Sequence, residues 1–341
     1  MAQPIVIAGA GSIGCFVGGL LAASGRDIRL LARPHVIEEI RVHGLHLTGF
    51  DGMSVKQKSI EMSDDPAVLD DAGVILVTVK TGATRTMAEQ IATHASRDAV
   101  IVSLQNGLDA IEILRSALPG YDVRAGMVPF NVVPMGEGRF HRASSGDILM
   151  EAGQPALALG VPGLPVRETS HLTGYQWGKL LINLGNAPNA LSGLTLVEQL
   201  SDRDWRHLLA DQMREALSVL KAAGIQPRSM TPLPAALVPS VLDLPTVLFR
   251  RIAAKMLTID PKARTSMSYD LMSGRRSEIG AFQGRIVTMG ERLGIPTPLN
   301  RTMQRLVLQT EDKGAGLPGL TVEEIRRSAK EQVDHRVDEA R

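Results

Sequence analysis

The 341-residue chain has a single cysteine, Cys15. One thiol excludes an internal disulfide, suits a reducing cytoplasm and argues against a cysteine-rich metal site, so no metal is expected. Cys15 reads as a small buried side chain rather than a nucleophile. No apolar run approaches the ~20 residues of a membrane span. No basic stretch precedes the first strand, so no signal peptide is expected and the expected location is cytoplasmic. Charge of either sign is not in excess: 37 Lys and Arg face 36 Asp and Glu, for a net charge of +1. Nothing therefore points to a nucleic-acid or membrane surface. Repeats and low-complexity segments are also missing. What remains is ordinary for a globular protein, 44% hydrophobic and 21% charged residues, in a chain long enough for two domains and a sizeable core.

The most informative stretch is Pro4 to Gly14, P-I-V-I-A-G-A-G-S-I-G. Ile5, Val6 and Ile7 form a continuous apolar run, the pattern of a strand buried on both faces in a parallel sheet. A helix is predicted from Ile13 to about Ala23. Between them lies the loop Gly9-Ala10-Gly11-Ser12-Ile13-Gly14, a G-x-G-x-x-G in strand–turn–helix context. Gly9 lets the chain turn out of the strand, Gly11 removes a Cβ where backbone would approach a pyrophosphate, and Gly14 lets the helix pack close. The helix N-terminus offers N–H groups and partial positive charge to phosphates. The bland alternative is a tight βα turn with no ligand.

A second strand is expected at Ile28 to Leu31, about 20 residues past the glycines, where NAD-binding folds carry an acid for the ribose hydroxyls. Here Arg33 follows instead. A guanidinium would pair with a 2′-phosphate that a carboxylate would repel, which favours NADP(H) over NAD; the alternative is a surface arginine at a strand end. Leu45 to Thr48 and Val55 to Lys58 read as a small hairpin. The strand Val74 to Val79 ends at Lys80, which either approaches a phosphate or is solvated. After a helix at Ala83 to Thr93, the strand Ala99 to Leu104 ends in Gln105-Asn106-Gly107, which places Asn106 at the ligand edge of the sheet or in an ordinary Asn-Gly turn. A helix from Leu108 to Ala117 and a strand from Val123 to Val128 continue the alternation. Arg139 to Arg142 and Asp147 to Glu151 are expected as antiparallel strands finishing the same sheet, with His141 structural. Gly153 to Pro165 reads as a loop, with a domain boundary near Glu168.

Beyond that point the patterns are helical. Five prolines between Pro227 and Pro245 exclude one straight helix there. Thr321 and Glu324 form a capping-box signal. In Tyr175 to Asn186, helical spacing puts Lys179, Asn183 and Asn186 on one face opposite Leu180, Leu181 and Leu184. Pro188 is expected to break or kink that helix, with Asn189 after the break. A lysine and two amides without a neighbouring acid are a stripe unlike a purely solvated face. A second cluster is Ser266 to Asp270 followed by Gly274 to Ile279. There Ser277 reads as an N-cap with Glu278 in the first turn of the next helix, and Asp270 is free to pair with Arg275 or Arg276.

Taken together and in this order, G-A-G-S-I-G, V-K-T at Lys80, Q-N-G at Asn106, W-G-K-L-L-I-N at Lys179 and T-S-M-S-Y-D…R-R-S-E-I around Ser266 to Ile279 resemble the ketopantoate reductase (2-dehydropantoate 2-reductase) family, over about residues 5–300. The resemblance implies an α/β, Rossmann-type parallel-sheet domain (1–168) that binds NADP(H) and an all-helical substrate domain (169–341). It implies NADPH-dependent reduction of ketopantoate to pantoate, in pantothenate biosynthesis. It casts Lys179 as the proton donor, Asn183 and Ser266 as substrate ligands, Asn106 beside both nicotinamide and substrate, and Glu278 at the nicotinamide ribose or the lysine. The chain departs from the family at Ala187, where a second asparagine is usual; Asn186 and Asn189 flank it, and either can stand in.

The chemistry agrees. Reducing a 2-oxo acid needs a hydride, a proton for the developing alkoxide and non-acidic groups for the carboxylate. Lysine suits the donor role because burial lowers its pKa. The expected partner is a small 2-oxo acid, with no nucleic acid and no membrane, and a homodimer left open. Competing readings are a reductase of another 2-oxo acid, an opine-type dehydrogenase, or a non-catalytic NADP-binding sensor.

Overall fold

The computed structural model describes residues 3–57, 59–153, 159–231, 233–252 and 263–339. The chain divides into two compact units, Met1–Thr173 and Gly174–Arg341.

The first unit opens with β1 (Ile5–Ala8), α1 (Ser12–Ala23), β2 (Ile28–Leu31), α2 (Pro34–His43), β3 (Leu45–Gly49), β4 (Ser54–Gln57) and β5 (Glu61–Ser63). It continues with β6 (Val74–Val77), α3 (Thr84–His94), β7 (Val100–Ser103), α4 (Asp109–Ala117) and β8 (Asp122–Met127). It closes with β9 (Val132–Gly136), β10 (Arg139–Arg142), β11 (Ile148–Met150) and β12 (Val166–Glu168). The main sheet has the order β12-β11-β8-β7-β6-β1-β2-β5. The chain runs outward from β1 through β2 to β5, then returns to β6 on the other side of β1. The order therefore reverses between β1 and β6, the switch point at which open α/β sheets form a crevice.

Alternate residues of β1 feed two cores. Ile7 packs with Phe16 and Leu20 of α1 and Leu30 of β2. Val6 and Ala8 pack with Ile75, Val77, Met87 and Ile91 on the opposite face. All three β1 residues are fully buried, which is why the strand reads as a continuous apolar run rather than an alternation. Each buried aliphatic side chain of this kind contributes roughly 1.5–3 kcal/mol.

The expectation for the end of this unit is half corrected. β11 does join the main sheet, antiparallel to β8, with β12 parallel to it at the edge. Residues 139–142 do not: β10 joins a second sheet of order β4-β3-β10-β9, parallel to β3 and antiparallel to β9. The reason is burial. A two-stranded hairpin from 45 to 57 cannot cover its own apolar face, and β10 brings Phe140 opposite Leu47, both in the core under α1. Arg142 locks the arrangement, donating to the carbonyls of Ser144, Gly146 and Gly163 with its guanidinium over the Phe130 ring. His141 bonds Thr48 across the strands at 2.8 Å. Two short strands, β5 and β12, carry no periodicity long enough to be expected. Of the expected loop, residues 154–158 lie outside the described residues, as does Lys58 of the expected hairpin.

The second unit holds α5 (Leu172–Asn183, whose first turn spans the division), α6 (Asn186–Ser192), α7 (Leu196–Ser201), α8 (Arg203–Ala222), α9 (Val238–Leu242) and α10 (Thr246–Ile252). After α11 (Ser266–Met272) a π-helical turn, Gly280–Gly284, leads into α12 (Arg285–Leu293), α13 (Pro298–Lys313) and α14 (Val322–Glu339). Among the described residues this unit has no strand. Its core gathers Ala187, Leu191, Trp205, Met267, Phe282 and Met303. The expected capping box forms: Glu324 N–H donates to Thr321 Oγ1 and Thr321 N–H to Glu324 Oε2. The expected break at Pro188 is corrected. The chain breaks earlier, at Leu184-Gly185, and Pro188 sits in the first turn of α6, where its missing N–H is not needed. In the proline-rich stretch, Pro232 lies outside the described residues; after it come a 3₁₀ turn and the short α9, not one helix.

No described helix is long and apolar enough to cross a membrane.

Candidate active site

The glycine loop leaves β1 at the switch point. Gly9 has φ +98°, and a Cβ there would lie 2.9 Å from the Val79 nitrogen. A Cβ on Gly14 would lie 2.6 Å from Thr78 Oγ1 and 2.9 Å from the Gly9 carbonyl oxygen. Both glycines are therefore required by the protein's own packing, with Thr78 Oγ1 donating to Gly9 O at 2.7 Å. Gly11 is different. Its φ of −87° suits any residue, and a Cβ would meet nothing within 4 Å. Neither strain nor packing explains glycine at 11, which leaves open space at the start of the helix. Gly11 is also the N-cap of α1, which has no side-chain cap and no acid in its first turn. Ala10 is buried, while Ser12 and Ile13 are half-buried at the helix start. The loop thus fits the pyrophosphate of a dinucleotide. Cys15 is buried, its thiol directed to Ala10 O and pushed up to about 12 by burial, so it is inert.

The neighbouring strands β2, β1, β6 and β7 end side by side on the same edge. Arg33, exposed, is the N-cap of α2 just past β2. Lys80 is exposed past β6, and Asn106 is half-buried past β7. The last two loops are stitched together. Thr81 Oγ1 donates to Asn106 O at 3.4 Å, and buried Gln105 donates to Val79 O and Thr84 Oγ1 at 2.9 and 2.7 Å. Sequence reasoning passed over Gln105; its position before Asn106 at a strand end was the available signal.

In the second unit, Lys179 and Asn183 lie one turn apart on α5. Lys179 is half-buried. Its ammonium is lowered from 10.5 to about 8 by burial, against an opposing pull from the Glu278 carboxylate. Asn186 is not part of that helix face: it begins α6, half-buried, its carbonyl accepting from Thr265 Oγ1 at 3.4 Å.

The reading of Asn189 as a substrate ligand is corrected. Its side chain is fully buried, and all four amide positions are in use. Nδ2 donates to Leu194 O and Gln199 Oε1, both at 3.0 Å. Oδ1 accepts from Thr265 N–H at 3.0 Å and Ser268 Oγ at 2.8 Å. Asn189 ties α6 to the start of α11, where Ser266 is the first residue and is exposed. Ala187 is also fully buried, in the apolar core, so the departure from the family there falls on a core position.

In the second cluster, Asp270 pairs with Arg275 at 3.1 Å, while Arg276 reaches Glu311 and Asp312 on α13. Ser277 Oγ does accept from Ile279 N–H at 3.3 Å, but the chain then enters the π-helical turn, so half-buried Glu278 precedes the helix rather than sitting in an α-helical first turn.

A parallel sheet with a ligand-ready glycine loop at its switch point, joined to a helical unit bearing a desolvated lysine, defines a nicotinamide-dependent oxidoreductase. The family models for ketopantoate reductase PanE/ApbA and its C-terminal region match residues 5–155 and 171–311. The chain belongs to the ketopantoate reductase PanE/ApbA family. It is 25% identical over 322 residues to the 2-dehydropantoate 2-reductase of Halobacterium salinarum, covering 91% of this chain and 99% of that one. To the enzyme of the same name from Pyrococcus horikoshii it is 26% identical over 325 residues, covering 92% and 99%. Among solved structures, a PanE/ApbA family ketopantoate reductase from Ralstonia eutropha JMP134 superposes with a TM-score of 0.79 at 31% identity, over 91% of this chain and 99% of that one. D-mandelate dehydrogenase with NADH and anilino(oxo)acetate shares the fold, with a TM-score of 0.74 at 21% identity, over 91% and 99%.

Proposed function

We propose that the protein reduces 2-dehydropantoate (ketopantoate) to pantoate with NADPH, residues 1–168 holding the cofactor and 169–341 the substrate. The observation that carries this reading is Lys179: a lysine lowered to about 8 by burial, one helical turn from Asn183, on the helix that opens the second unit. A bound reduced nicotinamide supplies the hydride. The chain supplies the rest. Gly9 to Gly14 grip the pyrophosphate, and Arg33 pairs with the 2′-phosphate. Lys80 and Asn106 serve the cofactor from the neighbouring strand ends, Asn106 also touching the substrate. Lys179 gives its proton to the ketone oxygen as it becomes an alkoxide, and Glu278 holds the ammonium charged until then. Asn183, Asn186 and Ser266 hold the carboxylate and hydroxyl oxygens without adding negative charge. Asn189 has no part in binding.

The sign of the pH dependence comes from the same lysine. Reduction needs the ammonium form, so kcat should be level below the lysine's pKa and fall as pH rises through about 8. The test is loss of NADPH absorbance against a panel of branched aliphatic and aryl 2-oxo acids, repeated with NADH. Ketopantoate should show the highest kcat/KM, and NADPH should be preferred. A better aryl substrate, or equal use of NADH, overturns the corresponding half of the proposal.

A further inference from the structure

The last turn of α13 carries two adjacent acids, Glu311 and Asp312, where the negative end of the helix dipole disfavours them. The Glu311 side chain is moreover only 2% exposed. A buried carboxylate needs donors, and all those described come from one short segment. Ser277 N–H and Ser277 Oγ donate to Glu311 Oε1 at 2.8 and 2.7 Å, and Arg276 donates to Oε2 at 3.0 Å. The second arm of the Arg276 guanidinium takes Asp312 at 2.8 Å. This segment lies between Gly274, in the left-handed region at φ +62°, and buried Ile279. Glu278 is the residue after Ser277, and its carbonyl accepts from Ala281 and Phe282 as the π-helical turn begins. The bonds at 277 thus fix the backbone one residue before Glu278. A π-helical turn, uncommon in itself and frequent at functional sites, holds the other side.

We propose that Glu311 is a positioning residue: by gripping Ser277 and Arg276 it fixes the segment that carries Glu278, and so holds the Glu278 carboxylate against Lys179. The inference rests on the reading of Lys179 as proton donor. Other charges among the described residues lie on the neighbouring segments, Arg285 opening α12 among them. Arg228, of the same sign as the lysine, packs on α5 at Gly174 and Gly178. Asp270 is held by Arg275, and Lys313 follows Asp312 at the end of α13. Releasing Glu278 leaves the effect of burial on Lys179 unopposed, so its proton should come off at lower pH.

The test is a titration of the full chain without cofactor, carrying ¹³C at lysine Cε. The sequence has nine lysines, and the Lys179→Arg variant identifies the resonance. Glu311→Ala should lower the Lys179 midpoint by about half a pH unit or more, and the alkaline limb of kcat should move with it. Glu311→Gln should restore the parent midpoint, because its amide oxygen still accepts both Ser277 bonds. Ser277→Ala, which removes only the hydroxyl bond, should shift the midpoint in the same direction by less, and carries the test if Glu311→Ala does not fold. A midpoint unmoved in the folded variants, with only the melting temperature lowered, overturns the proposal. Glu278→Gln separates the two levels. If it moves the midpoint and the Glu311 and Ser277 variants do not, the positioning role alone fails. If kcat keeps its alkaline limb in Lys179→Arg, the proton-donor reading fails and takes this inference with it.

Discussion

Replacing Lys179 by methionine should make the protein more stable and nearly inactive. The two effects come from one cause. Burial lowers the lysine from 10.5 to about 8, so the folded state disfavours the ammonium relative to the unfolded chain. At about 1.4 kcal/mol per pH unit, that interval corresponds to about 3.5 kcal/mol of destabilisation. Lys179 keeps part of its surface in water, so about 1–3 kcal/mol is the expected gain on replacing it with a side chain of similar length and no charge. For a unit of this size that is a rise in Tm of about 2–4 °C per kcal/mol. The pH dependence has a definite sign. A lysine whose folded pKa is depressed destabilises fully below that pKa, and the effect disappears as pH rises from about 8 to 10.5. The stability difference between parent and Lys179→Met, measured by denaturant titration, should therefore be largest at pH 7 and shrink toward pH 10.5. In the same variant kcat should drop by ~10²–10⁴, the scale for removing a positioned acid, while NADPH affinity changes little. A stable Lys179→Met protein with near-parent turnover refutes the reasoning, and so does a loss of stability at pH 7.

Other substitutions test the remaining parts. Gly11→Ala should leave stability within about 0.5 kcal/mol of the parent, since its Cβ meets only open space, yet weaken NADPH binding at least tenfold by fluorescence titration. Gly9→Ala should instead destabilise the fold by about 1–3 kcal/mol, because φ +98° and Val79 exclude a side chain. Arg33→Asp should weaken NADPH by about 1.5–3 kcal/mol and leave NADH nearly unchanged; parallel loss for both cofactors would remove Arg33 from the 2′-phosphate. Asn189→Ala should lower stability by roughly 2–4 kcal/mol, since four buried groups lose partners. Ser266→Ala, at an exposed position, should leave Tm unchanged and raise KM for the oxo acid but not for NADPH.

Local chemistry made much of this protein legible from sequence. Residues 5–14 dictate their own geometry: an apolar run must be buried on both faces, and glycines permit the turn and the close helix. The strand ends carrying Arg33, Lys80 and Asn106 follow from the same alternation of strands and helices, and the Lys179–Asn183 stripe follows from helical spacing. Tertiary structure decided what depends on residues far apart in the chain. The second sheet forms because Phe140 pairs across more than 90 residues with Leu47, a contact no local periodicity encodes. Asn186 and Asn189 looked equivalent beside Ala187. The fold separated them, since Thr265 and Ser268, more than 70 residues on, occupy Asn189 completely. Gly9 and Gly11 belong to one motif, but only packing against Val79 distinguishes the glycine the fold requires from the one it leaves open. Likewise nothing in the sequence marks Glu311; its burial against Ser277, 34 residues away, is what ties it to Glu278. Pattern determines which face of an element is apolar, whereas the partners of a buried polar atom are fixed only when distant segments close around it.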